Sequence, residues 1–122
     1  MVKIFDAELR MMRYIWDRAP VRASDLVPLC RAELGWKHNT TYTVLKRLVE
    51  RGAIQREDPG FVVTPLVSRD EVAEAETGEL IQKLYDGSRS LFLAGLLSSE
   101  KLSRTEMEEL RALIDQHEGE SK

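Results

Sequence analysis

The sequence has few of the side chains on which enzymes, metalloproteins and disulfide-bonded proteins rely. Its 122 residues include one cysteine, Cys30, and two histidines, His38 and His117. A single cysteine cannot form an internal disulfide, so we expect a reducing, cytoplasmic location. The histidines lie far apart in the sequence and Cys30 belongs to an apolar pattern. We therefore predict no catalytic residue, no metal site and no cofactor.

Long apolar runs are also missing. No run approaches the roughly 20 residues that a membrane-spanning helix needs. Charged residues enter the N-terminal segment too early for the apolar core of a signal peptide, so we expect neither a membrane span nor a secretory leader. A hydrophobic content of 43% with 32% charged residues fits a folded chain, because disordered chains have low hydrophobicity.

Charge is distributed unevenly along the chain. Residues 1–52 contain ten Lys/Arg and six Asp/Glu, whereas residues 53–122 contain eight and fifteen. The net charge of −3 therefore hides a basic first part, which suits nucleic-acid phosphates, and an acidic second part, which phosphates repel. We expect the two parts to have different partners.

Residues 35–52, GWKHNTTYTVLKRLVERG, have the pattern of an amphipathic helix that begins near Asn39. At about 100° per residue, its apolar side collects Thr41, Val44, Leu45 and Leu48. The other side collects short hydrogen-bonding side chains and cations: Asn39, Thr40, Thr43, Lys46, Arg47 and Arg51. These residue types contact base edges and phosphates in a DNA major groove. Asn39 is the predicted N-cap, Gly52 the predicted C-cap, and Lys37 a further phosphate contact.

The segments before this helix predict two shorter ones. Asp6 is the expected cap of the first, which ends at Ala19-Pro20 because the residue before proline is disfavoured in a helix. Val21-Arg22 is long enough for a minimal strand, and Ser24 is the expected cap of the second helix. Two helices joined by a short turn, the second with a polar outer face, form a helix-turn-helix arrangement.

After Gly52 the apolar period changes from helix to strand. Residues 53–56 and 61–64 read as two strands around a turn, which predicts a hairpin, the wing. A two-stranded hairpin is marginal alone, so we expect Ile54 and Val62 to pack it against the helices. The predicted fold of residues 1–67 is a winged helix-turn-helix DNA-binding domain.

Residues 68–122 predict three more amphipathic helices, two of them opened by capping boxes at Ser68 and Ser103. They are too short to close a core, yet burying each large apolar side chain is worth about 1.5–3 kcal/mol. A twofold partner with the same helices buries them; folding back as a monomer is the alternative. We therefore predict a mainly α chain with a small β wing, ending in a helical dimerisation domain. The predicted dimer contacts are Leu80, Leu84, Leu91, Phe92, Leu96, Leu97, Leu110, Leu113 and Ile114.

Five segments in a fixed order span nearly the whole chain: MRYIW, GWKHNTTYTVLKRLVERGAI, VTPLVSRDE, LYDGSRSLFL and LSRTEMEELRALI. With them the chain resembles the penicillinase and methicillin-resistance repressor family, whose relatives include copper-responsive repressors. The resemblance implies a sequence-specific DNA-binding transcriptional repressor that binds a palindromic operator as a homodimer. The family's groove-contacting positions fall on Asn39, Thr40, Thr43 and Arg47.

The chain departs from this family pattern in three places. Family wings carry basic residues near the tip, whereas residues 56–60 read REDPG, which weakens the expectation of a wing contact to DNA. The resemblance also implies a sensor protease as a partner, which in antibiotic-responsive relatives cuts an Asn-Phe bond. Ala94-Gly95 stands at the matching position. The C-terminal cysteine cluster of copper-responsive relatives is absent, so copper sensing is not expected.

Two alternatives to DNA binding stay open. A winged helix can instead dock onto another protein without binding specific DNA. Such a docking face is enriched in aromatic and apolar anchors, whereas the outer face of the helix near Asn39 consists of Asn, Thr, Lys and Arg, which favours DNA. For a small-molecule regulator the sequence offers no converging polar residues, and it neither supports nor excludes that function.

Overall fold

The computed structural model describes residues 4–120, except for the side chain of Glu120. The chain forms two compact units, the first ending at Glu76 and the second beginning at Thr77. The elements in chain order are α1 (Asp6–Arg18), β1 (Val21–Arg22), α2 (Ala23–Leu34), α3 (His38–Glu50), β2 (Ile54–Glu57), β3 (Val62–Pro65), α4 (Arg69–Leu84), α5 (Arg89–Ser98) and α6 (Arg104–Glu120). The mainly α architecture with a small antiparallel sheet confirms the predicted fold class.

The first three helices begin earlier than their sequences predict. In each case the residue before the helix has an extended backbone and supplies no side-chain cap. At α1 the backbone N–H of the capping residue is instead satisfied by the carboxylate of Glu8, which accepts it at 3.4 Å. Backbone geometry and packing, not a capping oxygen, set these starts. The observed N-caps are Phe5, Arg22 and Lys37, and the predicted caps Asp6, Ser24 and Asn39 lie inside the helices.

The sheet has three strands in the order β1-β3-β2, all antiparallel. The predicted hairpin is therefore extended by β1, in which Val21 pairs with Val63. Ile54 is buried as predicted, but the buried residue of β3 is Val63, and Val62 is only partly buried. The prediction was wrong by one residue, which in a strand places the side chain on the opposite face.

The core of the first unit is shared by α1, α2, α3 and the sheet. Met11, Met12 and Ile15 of α1 are fully buried, as are Leu26 and Cys30 of α2. The inner face of α3 completes this core, so the position and rotation of α3 are fixed by packing along its whole length.

The second unit contains the end of α4, all of α5 and all of α6. Ser88 caps α5, because its hydroxyl accepts the N–H of Leu91 at 3.1 Å. Ser103 and Glu106 form the predicted capping box of α6, with both reciprocal hydrogen bonds at 3.1 Å. Among the described residues, no helix has both the length and the apolar character needed to cross a membrane.

Candidate nucleic-acid interface

The helix α3 has one buried and one exposed face, as its periodicity predicts. Thr41, Val44, Leu45 and Leu48 are buried against the core. The outer face extends about 12 Å from Asn39 to Arg47 at 1.5 Å per residue, and an α-helix about 10–12 Å in diameter fits a DNA major groove about 12 Å wide. All seven predicted DNA-contacting residues are exposed: Lys37, Asn39, Thr40, Thr43, Lys46, Arg47 and Arg51.

The N-terminal end of α3 is electropositive and free of acids. Lys37 precedes the first turn without forming a side-chain cap, and the first turn contains no acidic residue. The unpaired N–H groups and the positive end of the helix dipole are therefore not compensated locally, which favours an anion at this end. Asn39 and Thr40 lie in this turn, where both base edges and phosphates are within reach of a helix inserted by its N-terminus.

Arg47 and Lys46 point away from the core without an intrachain partner. Within residues 4–120 neither side chain forms a hydrogen bond or ion pair. Arg51, in contrast, is bound inside the chain: its Nε donates to the Glu8 carboxylate at 3.0 Å. The Glu8 side chain is only 4% exposed, so this pair also satisfies a carboxylate that α1 buries. Sequence periodicity placed Arg51 on the outer face but gave no signal of this partner 43 residues away.

The C-terminal end of α3 is closed by its glycine, as predicted. Gly52 has φ of +77°, a left-handed conformation that glycine adopts without steric cost. Its N–H bonds to the carbonyl of Val49, and the N–H of Ala53 bonds to the carbonyl of Leu48, both at 3.0 Å. This pair of bonds is a Schellman motif, and it turns the chain directly into β2.

Three aromatic rings in contact connect α3 to the wing, residues 54–65. The His38 ring lies 4.7 Å from that of Tyr42, and the Tyr42 ring lies 5.6 Å from that of Phe61 in an edge contact. Phe61 is buried although its φ is +50°, an uncommon backbone for a non-glycine residue. The wing is thus anchored beside the N-terminal half of α3, the half that sequence analysis predicts to contact bases.

Arg22 is a cation beside the wing that the sequence pattern did not assign. It is exposed, pairs with Val62 in the sheet and forms the N-cap of α2. Its Nε lies 4.0 Å from the position that a Cβ on Gly60 would occupy. Its position directly before α2 was the one sequence signal for a phosphate contact, because the first helix of a helix-turn-helix crosses the DNA backbone.

Cys30 and Thr41 of the first unit are buried in its core, and Tyr14 is partly buried. Burial raises the pKa of the Cys30 thiol, while the nearby Thr41 hydroxyl acts in the opposite direction. The Thr41 hydroxyl is itself buried, with no partner of good hydrogen-bond geometry in residues 4–120. A hydrogen bond with Glu33, reinforced by burial, raises the pKa of Tyr14 to about 12. Within the described residues, no cluster of three or more His, Cys, Asp or Glu side chains is placed to hold a metal ion.

The nine predicted dimer contacts lie on α4, α5 and α6, and none of them is buried. Leu84 is 69% exposed and Ile114 57%. Phe92 is partly covered by an edge contact with the ring of Tyr85 at 5.4 Å between centroids, and Leu110 is also partly covered. Leu93, which was not among the predicted contacts, is 49% exposed and belongs to the same set by its position in α5.

The comparison with protein families decides which kind of helix-turn-helix protein this is. The sequence profile described as "Penicillinase repressor" matches residues 4–116. The chain belongs to the penicillinase repressor family. The match extends over both compact units, so membership in this family does not rest on the winged helix alone.

Relatives within the penicillinase repressor family agree with this assignment. The chain is 26% identical over 122 residues to the penicillinase repressor of Bacillus licheniformis, covering 98% of this chain and 95% of that protein. It is 26% identical over 115 residues to the methicillin resistance regulatory protein MecI of Staphylococcus aureus (strain N315), covering 93% and 94%. The solution structure of the DNA-binding domain of the repressor BlaI matches with 29% identity and a TM-score of 0.53, over 57% of this chain and 88% of that domain.

Proposed function

We propose that this DNA-binding transcriptional repressor acts as a homodimer that places α3 of each protomer in the major groove of a palindromic operator. One observation carries the proposal. The outer face of α3 presents Asn39, Thr40, Thr43 and Arg47 together, all exposed and on a helix whose rotation the core fixes. Bound in this way, the repressor blocks access of the transcription machinery to the operator.

Each side chain on this face has a role that follows from its chemistry. The Arg47 guanidinium donates to the O6 and N7 acceptors of guanine, and the Asn39 amide pairs with adenine. Thr40 and Thr43 are short enough to contact base edges or a thymine methyl group. Lys37 and Lys46 are assigned to phosphates, which adds affinity on any sequence. Arg51 is assigned to a phosphate as well, through the guanidinium nitrogens that the Glu8 pair leaves free.

The dimer follows from the apolar side chains of α4, α5 and α6. We assign residues 1–67 to DNA binding and residues 68–122 to dimerisation, with Leu80, Leu84, Leu91, Phe92, Leu96, Leu97, Leu110, Leu113 and Ile114 at the interface. Contiguous exposed apolar patches of more than a few hundred Å² are rare on monomeric proteins. A twofold copy presents the same patch, and therefore covers it with matching chemistry.

Release from the operator is the step for which the family resemblance implies a sensor protease. The Ala94-Gly95 bond at the matching position lies inside α5, and a helical backbone must unwind before a protease can cut it. We propose a sensor protease as a further partner, and a cut at Ala94-Gly95 requires this part of α5 to unwind first. We place repression in the cytoplasm. We assign no catalytic role to Cys30, because burial disfavours its reactive thiolate.

The test is selection of genomic fragments by the purified protein at about physiological salt. Arg47→Ala runs in parallel, and Arg10→Ala, which removes an exposed arginine from α1, is the matched control. Wild type and Arg10→Ala are expected to recover the same palindrome. Arg47→Ala is expected to bind it at least about 30-fold more weakly, since each of the two protomers loses a bidentate base contact worth about 1–3 kcal/mol.

Two results would contradict the proposal. One is equal enrichment by wild type and Arg47→Ala. The other is no enriched sequence from a protein that is folded and dimeric, which would instead favour a winged helix that docks onto another protein.

A further inference from the structure

Arg56 is the only cation in the wing, and contacts within the wing engage it on two sides. Its Nε lies 3.2 Å and 3.1 Å from the two carboxylate oxygens of Asp58. Its guanidinium carbon lies 3.7 Å from the centre of the Phe61 ring. The cation therefore lies between an acid and an aromatic face, both supplied by the wing itself.

The same cation lies close to the surface proposed to contact DNA. Phe61, on which Arg56 stacks, contacts Tyr42 of α3 at 5.6 Å between ring centroids. Tyr42 lies one residue before Thr43 on α3. A wing anchored at this position lies along the DNA backbone when α3 occupies the groove, so operator phosphates pass near Arg56.

We propose that Asp58 is a positioning residue that holds Arg56 on Phe61 and so withholds the wing's only cation from operator phosphates. This inference rests on the proposed function, because it assumes that α3 contacts the DNA. Asp58 occupies the Nε donor of Arg56, and because its carboxylate is exposed beside the guanidinium, its negative charge repels a phosphate that approaches the remaining N–H groups. Glu57 adds a second negative charge, which leaves the wing with net repulsion toward phosphates.

The ion pair between Arg56 and Asp58 is weak because both side chains are exposed. The side chains of Arg56 and Asp58 are 38% and 61% exposed, and exposed ion pairs are weak and screened by salt. Removing the Asp58 charge therefore frees Arg56 without a large effect on the fold. One side chain, Asp58, therefore keeps the contact between the wing and DNA weak.

The experiment measures binding of the full chain to a random-sequence 30-base-pair duplex over a range of salt concentrations. Asp58→Asn is expected to bind about two- to fivefold more tightly than wild type, the range that an exposed ion pair covers. The slope of log affinity against log salt is expected to steepen by about 0.9 for each wing that gains a phosphate. Asp58→Glu, which keeps the charge, is expected to match wild type.

Two controls separate the release of Arg56 from a simple change of charge. Glu57→Gln removes the same charge from the neighbouring residue and is expected to leave the salt slope unchanged. In Arg56→Ala/Asp58→Asn the gain in affinity and slope is expected to disappear. Unfolding temperatures equal to that of wild type show that each variant is folded; Asp58→Ala replaces Asp58→Asn if the amide perturbs the turn.

The inference is overturned if Asp58→Asn and Glu57→Gln have the same affinity and slope, or if the gain persists without Arg56. Failure of the proposed function gives a different pattern, in which Arg47→Ala binds the selected operator as tightly as wild type. A weakened Arg47→Ala together with an unchanged Asp58→Asn refutes the wing inference alone.

Discussion

The two units of the chain use their large apolar side chains in opposite ways. In the first unit they form one core, and only Phe5 and Leu66 are strongly exposed among its described residues. In the second unit, Ile81 is the only buried apolar residue among residues 77–119, and eight large ones are exposed. The first unit needs no partner to bury its apolar surface, so its outer face is free for DNA. The second unit leaves its large apolar side chains exposed, and in the proposed homodimer a second copy of the chain covers them.

The first three helices and the last three also differ in how their N-termini are capped. The helices α1, α2 and α3 begin after Phe5, Arg22 and Lys37, and none of these N-cap residues provides a side-chain cap. The helices α4, α5 and α6 begin after serines whose hydroxyls accept backbone N–H groups: Ser68, Ser88 and Ser103. Short helices are marginal without tertiary packing. Local caps therefore define the starts of α5 and α6, whereas packing defines those of α1, α2 and α3. The helix α4 has both, because Ser68 caps it and its Val72 is buried in the core of the first unit.

The largest effect is expected from charges placed on the exposed apolar surface of the second unit. Leu84→Glu/Leu113→Glu is expected to convert the proposed dimer into a monomer, because burying unpaired carboxylates at an interface costs several kcal/mol. Operator affinity is expected to fall by about 100-fold or more, since binding of the second half-site then no longer benefits from linkage to the first. Sedimentation and operator binding measure the two effects.

The matched control for this prediction is Leu66→Glu in the first unit. Leu66 is 54% exposed and Leu113 51%, so the same substitution meets similar exposure at a residue outside α4, α5 and α6. Leu66→Glu is expected to stay dimeric and to bind the operator as wild type does. A double variant that is still dimeric at low micromolar concentration would mean that the exposed leucines are not the interface.

A smaller effect is expected on stability from Arg51, which follows α3 and pairs with the buried Glu8 of α1. Arg51→Met leaves the Glu8 carboxylate buried without its cation, which is expected to lower the free energy of unfolding by about 1–3 kcal/mol. Lys46→Met removes an exposed cation from α3 and is expected to change the free energy of unfolding by less than about 0.5 kcal/mol. Urea unfolding compares the two, and equal stabilities would show that the Glu8 pair contributes nothing.

The smallest effect concerns the contact between α1 and α2 made by Tyr14 and Glu33. The pKa of Tyr14, about 12, lies above the ordinary value, so the fold favours the neutral phenol. This contribution to stability is complete below about pH 10 and is lost as the pH rises toward 12. Phenolate absorbance is expected to show a component near pH 12 that disappears in Tyr14→Phe and shifts to lower pH in Glu33→Gln. An unchanged titration in Glu33→Gln would remove Glu33 as the cause.

Much of the fold could be predicted from the sequence because its signals are local. The inner face of α3, its closing glycine Gly52 and the capping boxes at Ser68 and Ser103 depend on residues a few positions apart, and all are confirmed. The N-caps at Asp6, Ser24 and Asn39 were wrong because packing, not the nearest hydroxyl or carboxylate, decides where those helices start. Val62 was predicted in place of Val63 because the strand is too short to fix its register by alternation.

Only the part of the candidate site that lies on α3 could be predicted from the sequence. Periodicity placed Asn39, Thr43 and Arg47 on one exposed face, but it contained no information about contacts across the fold. The pairing of Arg51 with Glu8 and the edge contact of Phe61 with Tyr42 bring together residues far apart in sequence. Such contacts become visible only in three dimensions. They distinguish Arg47, which has no intrachain partner within residues 4–120, from Arg51 and Arg56, which each pair with a carboxylate.

The central claim, that the outer face of α3 is the DNA-contacting surface, is tested most directly by NMR. The selected operator duplex is added to the isotope-labelled full chain, and the change in each backbone and side-chain signal is followed. The account predicts that the largest changes occur at Asn39, Thr40, Thr43 and Arg47, with little change at Arg10 on α1. Largest changes on α5 and α6, with the signals of α3 unmoved, would contradict it.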